Sequence, residues 1–206
     1  NMIRVEKRIL QKNLTYKGTV ILKYKIEYPQ IFNSEKFNVY NYKKATALQK
    51  ECETTLFEEA KKLYEYNKKN GYPTMTYERV SAVTVTYNYQ PIVSLYIDEY
   101  RFTGGAHGNT IRTSQTWDLN EAEMIKLSRW FEDPNYVSSL IDNINGQIQT
   151  NIDNGNNFYF ENYCCLTSKN FRVENYYIKN GMINIYYQQY DIAPYSSGIL
   201  SFAIPR

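Results

Sequence analysis

Residues 45–63, ATALQKECETTLFEEAKKL, contain the clearest structural pattern in the chain. Apolar residues recur along this segment at steps of three and four, and Lys and Glu fill much of the opposite side. The members of the apolar stripe are Ala45, Leu48, Cys52, Leu56, Ala60 and Leu63. Such spacing places one apolar face on an α-helix. It predicts a long helix over residues 37–70, which Gly71 and Pro73 end.

Strand-like sequence lies on both sides of this helix. The two preceding strands are predicted at residues 4–12 and 18–28, joined by a turn, and Pro29 is expected to end the second. The following strands are rich in Val, Thr, Tyr and Ile, as strands usually are. They are predicted at residues 75–89, 92–102 and 109–119.

The last ninety residues repeat this mixture of elements. Leu127, Trp130 and Phe131 predict a short apolar knuckle, and Asp133-Pro134 predicts the start of a second helix with an isoleucine-rich face. Residues 153–157 are predicted as a loop, 171–178 and 182–187 as a hairpin that turns at Asn180-Gly181, and 199–204 as a final strand. We therefore predict an α+β fold with mixed or antiparallel sheets, each packed by a helix. Two closely associated subdomains are expected, at residues 1–100 and 101–206.

Composition narrows the class of protein. The chain has 206 residues, of which 43% are hydrophobic and 22% charged, as in a folded globular protein. A net charge of +3, with acids and bases interleaved, does not favour nucleic acid as a partner. No apolar run approaches the ~20 residues that span a bilayer. Membrane attachment would therefore require an anchor outside this sequence.

Cysteine usage predicts neither a disulfide framework nor a metal site. The three cysteines are Cys52, Cys164 and Cys165, and an odd number argues against a set of bridges. Cys52 falls on the helical stripe, where a small buried hydrophobe is expected. No cofactor or metal is predicted, because no second histidine or cysteine pair has ligand spacing.

One turn-rich segment, Arg101-Phe-Thr-Gly-Gly-Ala-His-Gly-Asn109, contains the single histidine of the chain. The glycines match neither a dinucleotide-binding loop nor a phosphate loop. Two interpretations stay open: a strained connector between strands, or a surface loop offered to a partner. For His107 we expect an imidazole tucked under the loop and bonded to the backbone, rather than a catalytic base.

A second turn-rich segment, Tyr187-Gln-Gln-Tyr-Asp-Ile-Ala-Pro-Tyr-Ser-Ser-Gly198, concentrates tyrosines around one proline. Exposed tyrosine is a typical anchor of protein interfaces, and proline lowers the entropy lost on binding. We expect Tyr186 and Tyr190 to pack on the sheet and Tyr195 to be exposed.

Catalytic arrangements find little support in the sequence. Asp98 and Glu99 are neighbours on a strand, so their side chains point to opposite faces. The serines lack the Gly-x-Ser-x-Gly context of a nucleophile. A small hydrolase centred on His107 is a third, less favoured hypothesis. We predict that the chain is not an enzyme.

The motifs Gly104-Gly-Ala-His-Gly-Asn109, Trp117-Asp-Leu119 and Gln188-Gln-Tyr-Asp-Ile-Ala-Pro-Tyr195 resemble those of a bacterial extracytoplasmic family. In that family a deacetylase-N-terminal-like domain precedes a second domain of unknown function. The pair occurs in RsiV-type anti-sigma factors, which sense lysozyme. It also precedes the catalytic domain of some peptidoglycan deacetylases, and it stands alone in secreted or lipid-anchored proteins.

The resemblance implies an α+β recognition module outside the cytoplasm. Its partner would be a protein, lysozyme in the anti-sigma branch, or alternatively a cell-wall glycan bound by an accessory domain or a stand-alone lipoprotein. The sequence has no deacetylase motif with Asp and His ligands, and no sigma-binding segment. The loops that match the family motifs supply these candidate contacts: Thr103, Gly104, Gly105, His107, Pro194, Tyr195 and Ser196.

Overall fold

The computed structural model describes residues 1–205, which form a mixed sheet, an antiparallel sheet and four α-helices. The strands are β1 Val5–Tyr16, β2 Thr19–Ile31, β3 Tyr77–Tyr89, β4 Ile92–Phe102, β5 Asn109–Asp118, β6 Glu123–Met124, β7 Tyr176–Lys179, β8 Met182–Tyr187 and β9 Leu200–Ile204. The α-helices are α1 Glu35–Glu51, α2 Phe57–Asn70, α3 Tyr136–Asp153 and α4 Tyr163–Lys169. Strands β1 to β6 follow one another in the mixed sheet, and β7, β8 and β9 form the other. The predicted α+β class is confirmed.

The chain divides into two compact units whose segments alternate along the sequence. The N-unit combines Ile3–Thr84 with Ile97–Ile111. The C-unit combines Asn1–Met2, Val85–Tyr96 and the described residues from Arg112 onward. The predicted boundary between two subdomains at residue 100 stays a prediction.

The predicted long helix of the N-unit is present as α1 and α2, joined by a π-helical turn at Cys52–Leu56. Steps of four residues overshoot the 3.6-residue turn of an α-helix. The wider π turn keeps Leu48, Cys52, Leu56 and Ala60 together in the core. Cys52 is fully buried, and burial raises the pKa of its thiol to about 11. The prediction of a structural role for Cys52 is confirmed.

The N-unit sheet extends further than predicted. β1 and β2 pair antiparallel through a turn at Lys17-Gly18, and β2 pairs parallel with β3 over Leu22–Ile26. Pro29 lies inside β2 opposite Lys7, so the prediction that it ends the strand is wrong. The ladder to β3 has already stopped at this position, so the missing N–H of Pro29 removes no bond on that side.

The C-unit core lies between α3 and the β7-β8-β9 sheet. Leu140, Ile144 and Ile148 of α3 are buried together with Ile183 and Ile185 of β8. The hairpin between β7 and β8 turns at Asn180-Gly181, as predicted, and both residues have positive φ. The knuckle at Leu127–Trp130 is present as a short 3₁₀ turn.

Two details of the C-unit helices differ from the predictions. Asp133 accepts a hydrogen bond from the Asn135 N–H (2.8 Å), and α3 begins only at Tyr136. Helix α4 was missed, because its seven residues, 163–169, are too few to show an apolar repeat. Cys164 and Cys165 lie in α4, exposed and unbridged. None of the helices in the described part of the chain has the length and apolar character needed to cross a bilayer.

Candidate functional site

Residues 103–108, here the glycine loop, connect β4 to β5 within the N-unit. Thr103 and Gly104 are half-buried, whereas Gly105 and His107 are exposed. Gly104 and Gly105 have φ values of 88° and 91°. Residues with side chains rarely adopt this conformation, so the backbone itself requires glycine at both positions.

Packing adds a second requirement in the glycine loop. A Cβ on Gly104 would lie 3.0 Å from Cδ2 of Leu63, and one on Gly108 would lie 2.4 Å from the ring of Tyr100. Gly108 is buried. These contacts favour the connector interpretation of the glycines over the partner-binding one.

His107 presents its ring to solvent, so the expectation that it is tucked under the loop is wrong. The expected backbone hydrogen bond is present, because Nδ1 lies 2.9 Å from the carbonyl oxygen of Gly108. This geometry makes Nδ1 the protonated donor. Among residues 1–205, no three His, Cys, Asp or Glu side chains are grouped so that they could hold a metal ion.

Residues 188–198, here the tyrosine loop, belong to the C-unit and are fixed by backbone hydrogen bonds. The Gln188 N–H donates to Oδ2 of Asp191 (2.8 Å), and the Asp191 N–H donates back to the Gln188 carbonyl (3.1 Å). From outside the loop, Asn170 Nδ2 donates to the Asp191 carbonyl (2.7 Å) and the Phe160 N–H to the Ile192 carbonyl (3.1 Å). These bonds hold the first half of the loop in one conformation.

The side chain of Gln188 fastens the loop to β5. Its Oε1 accepts from the Arg112 N–H (2.9 Å), and its Nε2 donates to the Arg112 carbonyl (2.6 Å). The amide thus pairs with Arg112 as a neighbouring strand would. The guanidinium of Arg112 lies over the ring of Tyr96, 3.8 Å from its centroid. The loop is therefore attached to a well-packed strand.

Two tyrosines project from this fixed loop. Tyr190 is 52% exposed, so the expectation that it packs on the sheet is wrong, whereas Tyr186 is buried as predicted. Tyr195 was expected to be exposed but is half-buried, and its ring centroid lies 5.6 Å from that of Tyr190. Pro194 and Ser196 beside it are exposed. The loop therefore presents an aromatic pair beside the rigid Pro194 and the polar Ser196.

Tyr190 has a strained backbone, with φ at 68°. A residue with a side chain is rare in this region and costs about 1–2 kcal/mol there. Buried Ile192 and Ala193 anchor the chain directly after it. The fold therefore holds an aromatic side chain outward in a conformation that a free chain would avoid.

The loop also contains one carboxyl with a shifted pKa. Burial raises the pKa of Asp191, while the Gln188 backbone N–H and the charge of Arg172 act in the opposite direction. The carboxylate already accepts the Gln188 N–H. Its place in the loop closure makes Asp191 a structural group of this site.

Sequence reasoning missed Tyr190, Asp191 and Gln188 as members of the site. A usable signal was the end of the predicted strand at Tyr187, which is also the end of β8. Beyond that point a tyrosine no longer covers a sheet. The positive φ of Tyr190 has no sequence signal, because a tyrosine rarely adopts this conformation and glycine and asparagine are the residues that commonly indicate it.

Two family models match successive parts of the chain. The model described as Deacetylase PdaC matches residues 16–110, and the model described as a protein of unknown function (DUF3298) matches residues 126–206. No curated protein matches the chain at a significant level.

Solved structures with the same fold include a DUF3298 family member from Bacteroides fragilis, at 19% identity and a TM-score of 0.69, covering 98% of this chain and 90% of that one. A DUF3298 family protein from Pseudomonas aeruginosa matches at 15% identity and a TM-score of 0.65, covering 100% of this chain and 91% of that one. At these identities the likeness shows the fold alone. The chain is thus similar to a PdaC-type domain over residues 16–110 and to a DUF3298 domain over residues 126–206, in the paired order that its motifs suggested.

Proposed function

We propose that the tyrosine loop is the recognition site of a non-catalytic module that acts outside the cytoplasm and binds a protein partner. The observation that carries this proposal is the Tyr190–Tyr195 pair on a loop whose backbone is fixed from three sides. Tyrosine offers a large amphipathic contact with only two side-chain angles to order. A prearranged loop reduces the entropy lost on binding.

The family resemblance suggests lysozyme as the partner, with this chain as the ectodomain of a sensor. Lysozyme is strongly basic and this chain has a net charge of +3, so long-range attraction does not assist the encounter. Affinity would come from short-range contacts of the aromatic pair. Binding should therefore not weaken between low and physiological salt, because salt screens only the repulsion between two positively charged proteins.

A cell-wall glycan is the second candidate ligand. The favouring observation is again the aromatic pair, whose rings are inclined by only 35° and offer neighbouring apolar faces. In this case the chain would be the accessory domain of a wall enzyme or a stand-alone lipoprotein. The two candidates share the site and differ in the probe that it binds.

Calorimetric titration with lysozyme, and separately with soluble peptidoglycan fragments, tests the proposal. We expect one probe to bind, and Tyr190→Ala and Tyr195→Ala to weaken that binding by at least about fivefold, since anchors cost more than ~1 kcal/mol. Tyr66→Ala is the matched control, because Tyr66 and Tyr72 form another exposed tyrosine pair, with centroids 6.2 Å apart. Equal losses in the control, or no binding of either probe, would contradict the proposal.

An assay on wall polymers addresses the hydrolase alternative. We expect neither released acetate nor new reducing ends above a buffer control when the protein is incubated with peptidoglycan. Activity that disappears in a folded His107→Ala variant would make His107 catalytic and replace this proposal.

A further inference from the structure

A groove of about 460 Å³ lies beside β5 in the C-unit, and none of its lining residues belongs to the tyrosine loop. Its volume is within the ~300–1,000 Å³ of typical small-ligand sites. Its apolar walls include Met124 and Val173, which are 39% and 51% exposed. Ser114 and Thr116 of β5 also line the groove.

The edge of β5 is closed by the chain's own groups at two positions. At Arg112 the amide of Gln188 engages both the N–H and the carbonyl. At Thr116 the carbonyl accepts from the Ile125 N–H (2.8 Å). In an antiparallel sheet every second residue directs its N–H and carbonyl to the same side. The backbone N–H and carbonyl of Ser114, midway between these positions, therefore face the groove.

The side chain of Ser114 does not cover the edge of β5. Its hydroxyl donates to the Glu174 carbonyl (3.0 Å) and lies 2.9 Å from the hydroxyl of Tyr186. These contacts fix Ser114 against the neighbouring sheet. A ligand in the groove would therefore contact the backbone N–H and carbonyl of Ser114 rather than its hydroxyl.

The chemistry of the groove identifies the kind of occupant. A donor and an acceptor on one residue of a strand edge are complementary to the main chain of an extended peptide. The charged residues of the lining are Lys126 and Glu174, one of each sign, so they favour an uncharged ligand. The four residue steps from Arg112 to Thr116 span about 14 Å at ~3.4 Å per residue, which limits the ligand to roughly three residues.

We propose that this groove binds a short, uncharged, extended peptide segment of a partner protein. The central residue of the segment would pair with Ser114 through both main-chain hydrogen bonds. An apolar side chain of the segment would contact Met124 and Val173. No residue of the tyrosine loop lines this groove, so the failure of this proposal and the failure of the proposed function can be distinguished.

Nuclear magnetic resonance titration of the ¹⁵N-labelled protein with N-acetyl-Val-Ile-Val-amide tests the pairing. We expect saturable shifts of the Ser114, Thr116 and Lys126 amide signals. The same peptide with its central nitrogen methylated lacks the donor, and it should bind about fivefold more weakly, the effect of one lost hydrogen bond. Absence of saturable shifts, or equal binding of the methylated peptide, would overturn the proposal.

Protein variants locate the site. Val173→Asp places a carboxylate in the apolar wall and should weaken peptide binding by about tenfold or more. Val39→Asp, at an exposed position of α1, is the matched control and should bind as the unmodified protein does. Tyr190→Ala should also leave peptide binding unchanged. Self-association of the protein that shifts the same signals without peptide would assign the groove to a second copy and overturn the proposal.

Discussion

The glycine loop and the tyrosine loop both follow a strand, and the sequence marks both as turn-rich, yet their residues meet different demands. In the glycine loop, Gly104 and Gly108 lie against Leu63 and Tyr100, where a methyl group would collide. In the tyrosine loop Ile192 and Ala193 are buried, and Tyr190 is turned out to solvent. Packing within the fold requires glycine at positions 104 and 108. Packing does not require the outward-facing Tyr190 with its strained backbone.

This difference ranks the candidate contacts. Gly104 is accounted for by the backbone and by Leu63, and His107 by its bond to the Gly108 carbonyl. Tyr195 forms with Tyr190 an aromatic pair that the core does not require, and Pro194 and Ser196 flank Tyr195. Mutations in the first loop should therefore change stability, and mutations in the second should change binding.

Gly104→Ala should have the largest effect on stability. A side chain at φ 88° is strained, and its Cβ meets Leu63 at 3.0 Å. We expect the free energy of unfolding to fall by about 2 kcal/mol, measured by urea denaturation. Gly146→Ala in α3 is the control, because no atom lies within 4 Å of its Cβ and alanine favours a helix. Unchanged stability with reduced partner binding would make the glycine loop a binding surface.

Tyr195→Ala should show the opposite behaviour. The half-buried ring contacts Tyr190 at the loop surface, so its removal should cost less than about 1 kcal/mol of folding stability. The loss of partner binding should exceed ~1 kcal/mol, the usual threshold for an interface anchor. Thermal unfolding and calorimetric titration of the same preparation measure both quantities. A stability loss larger than the binding loss would place Tyr195 in the core.

Much of this fold could be predicted from the sequence, because period and turn chemistry are local. The stripe through Leu48, Cys52 and Leu56 gave the long helix, and Asn180-Gly181 gave the last hairpin. Helix α4 has no such repeat, and no element was predicted for residues 163–169. Thr167 in this helix is buried, and its backbone carbonyl accepts a hydrogen bond from the Tyr187 hydroxyl. This tertiary contact has no local sequence signal.

The candidate site was less predictable for a related reason. Composition drew attention to Pro194 and Tyr195, and that segment is the one that projects a tyrosine pair. The outward direction of Tyr190 depends on closure of the loop by Asp191 and on the clamp between Gln188 and Arg112. The clamp joins residues that are 76 positions apart, and periodicity within one segment cannot reveal it.

Two substitutions at Tyr190 test whether the loop holds this residue under strain. Both Tyr190→Gly and Tyr190→Ala remove the ring, but only glycine adopts φ 68° without a steric penalty. We expect the glycine variant to be more stable than the alanine variant by about 1 kcal/mol in urea denaturation. Equal stability would show that the backbone relaxes once the ring is absent, and that the ring itself imposes the conformation.

Asp191→Asn should produce the smallest change, and one that depends on pH. Burial raises the pKa of Asp191 above its ordinary value of 3.8, so the folded chain holds the proton more tightly than the unfolded chain. The contribution of this group to stability is complete below that value and is lost as the pH rises through the raised pKa.

An asparagine at position 191 cannot ionise, and its side-chain oxygen can still accept the Gln188 N–H. The stability of Asp191→Asn relative to the unmodified protein should therefore improve as the pH rises from below 3.8 through the raised pKa of Asp191. Asp142→Asn, on the exposed side of α3, corrects for the loss of one negative charge. A relative stability that instead declines over this range would mean that the ionised carboxylate, through Arg172 and the loop N–H, holds the tyrosine loop closed.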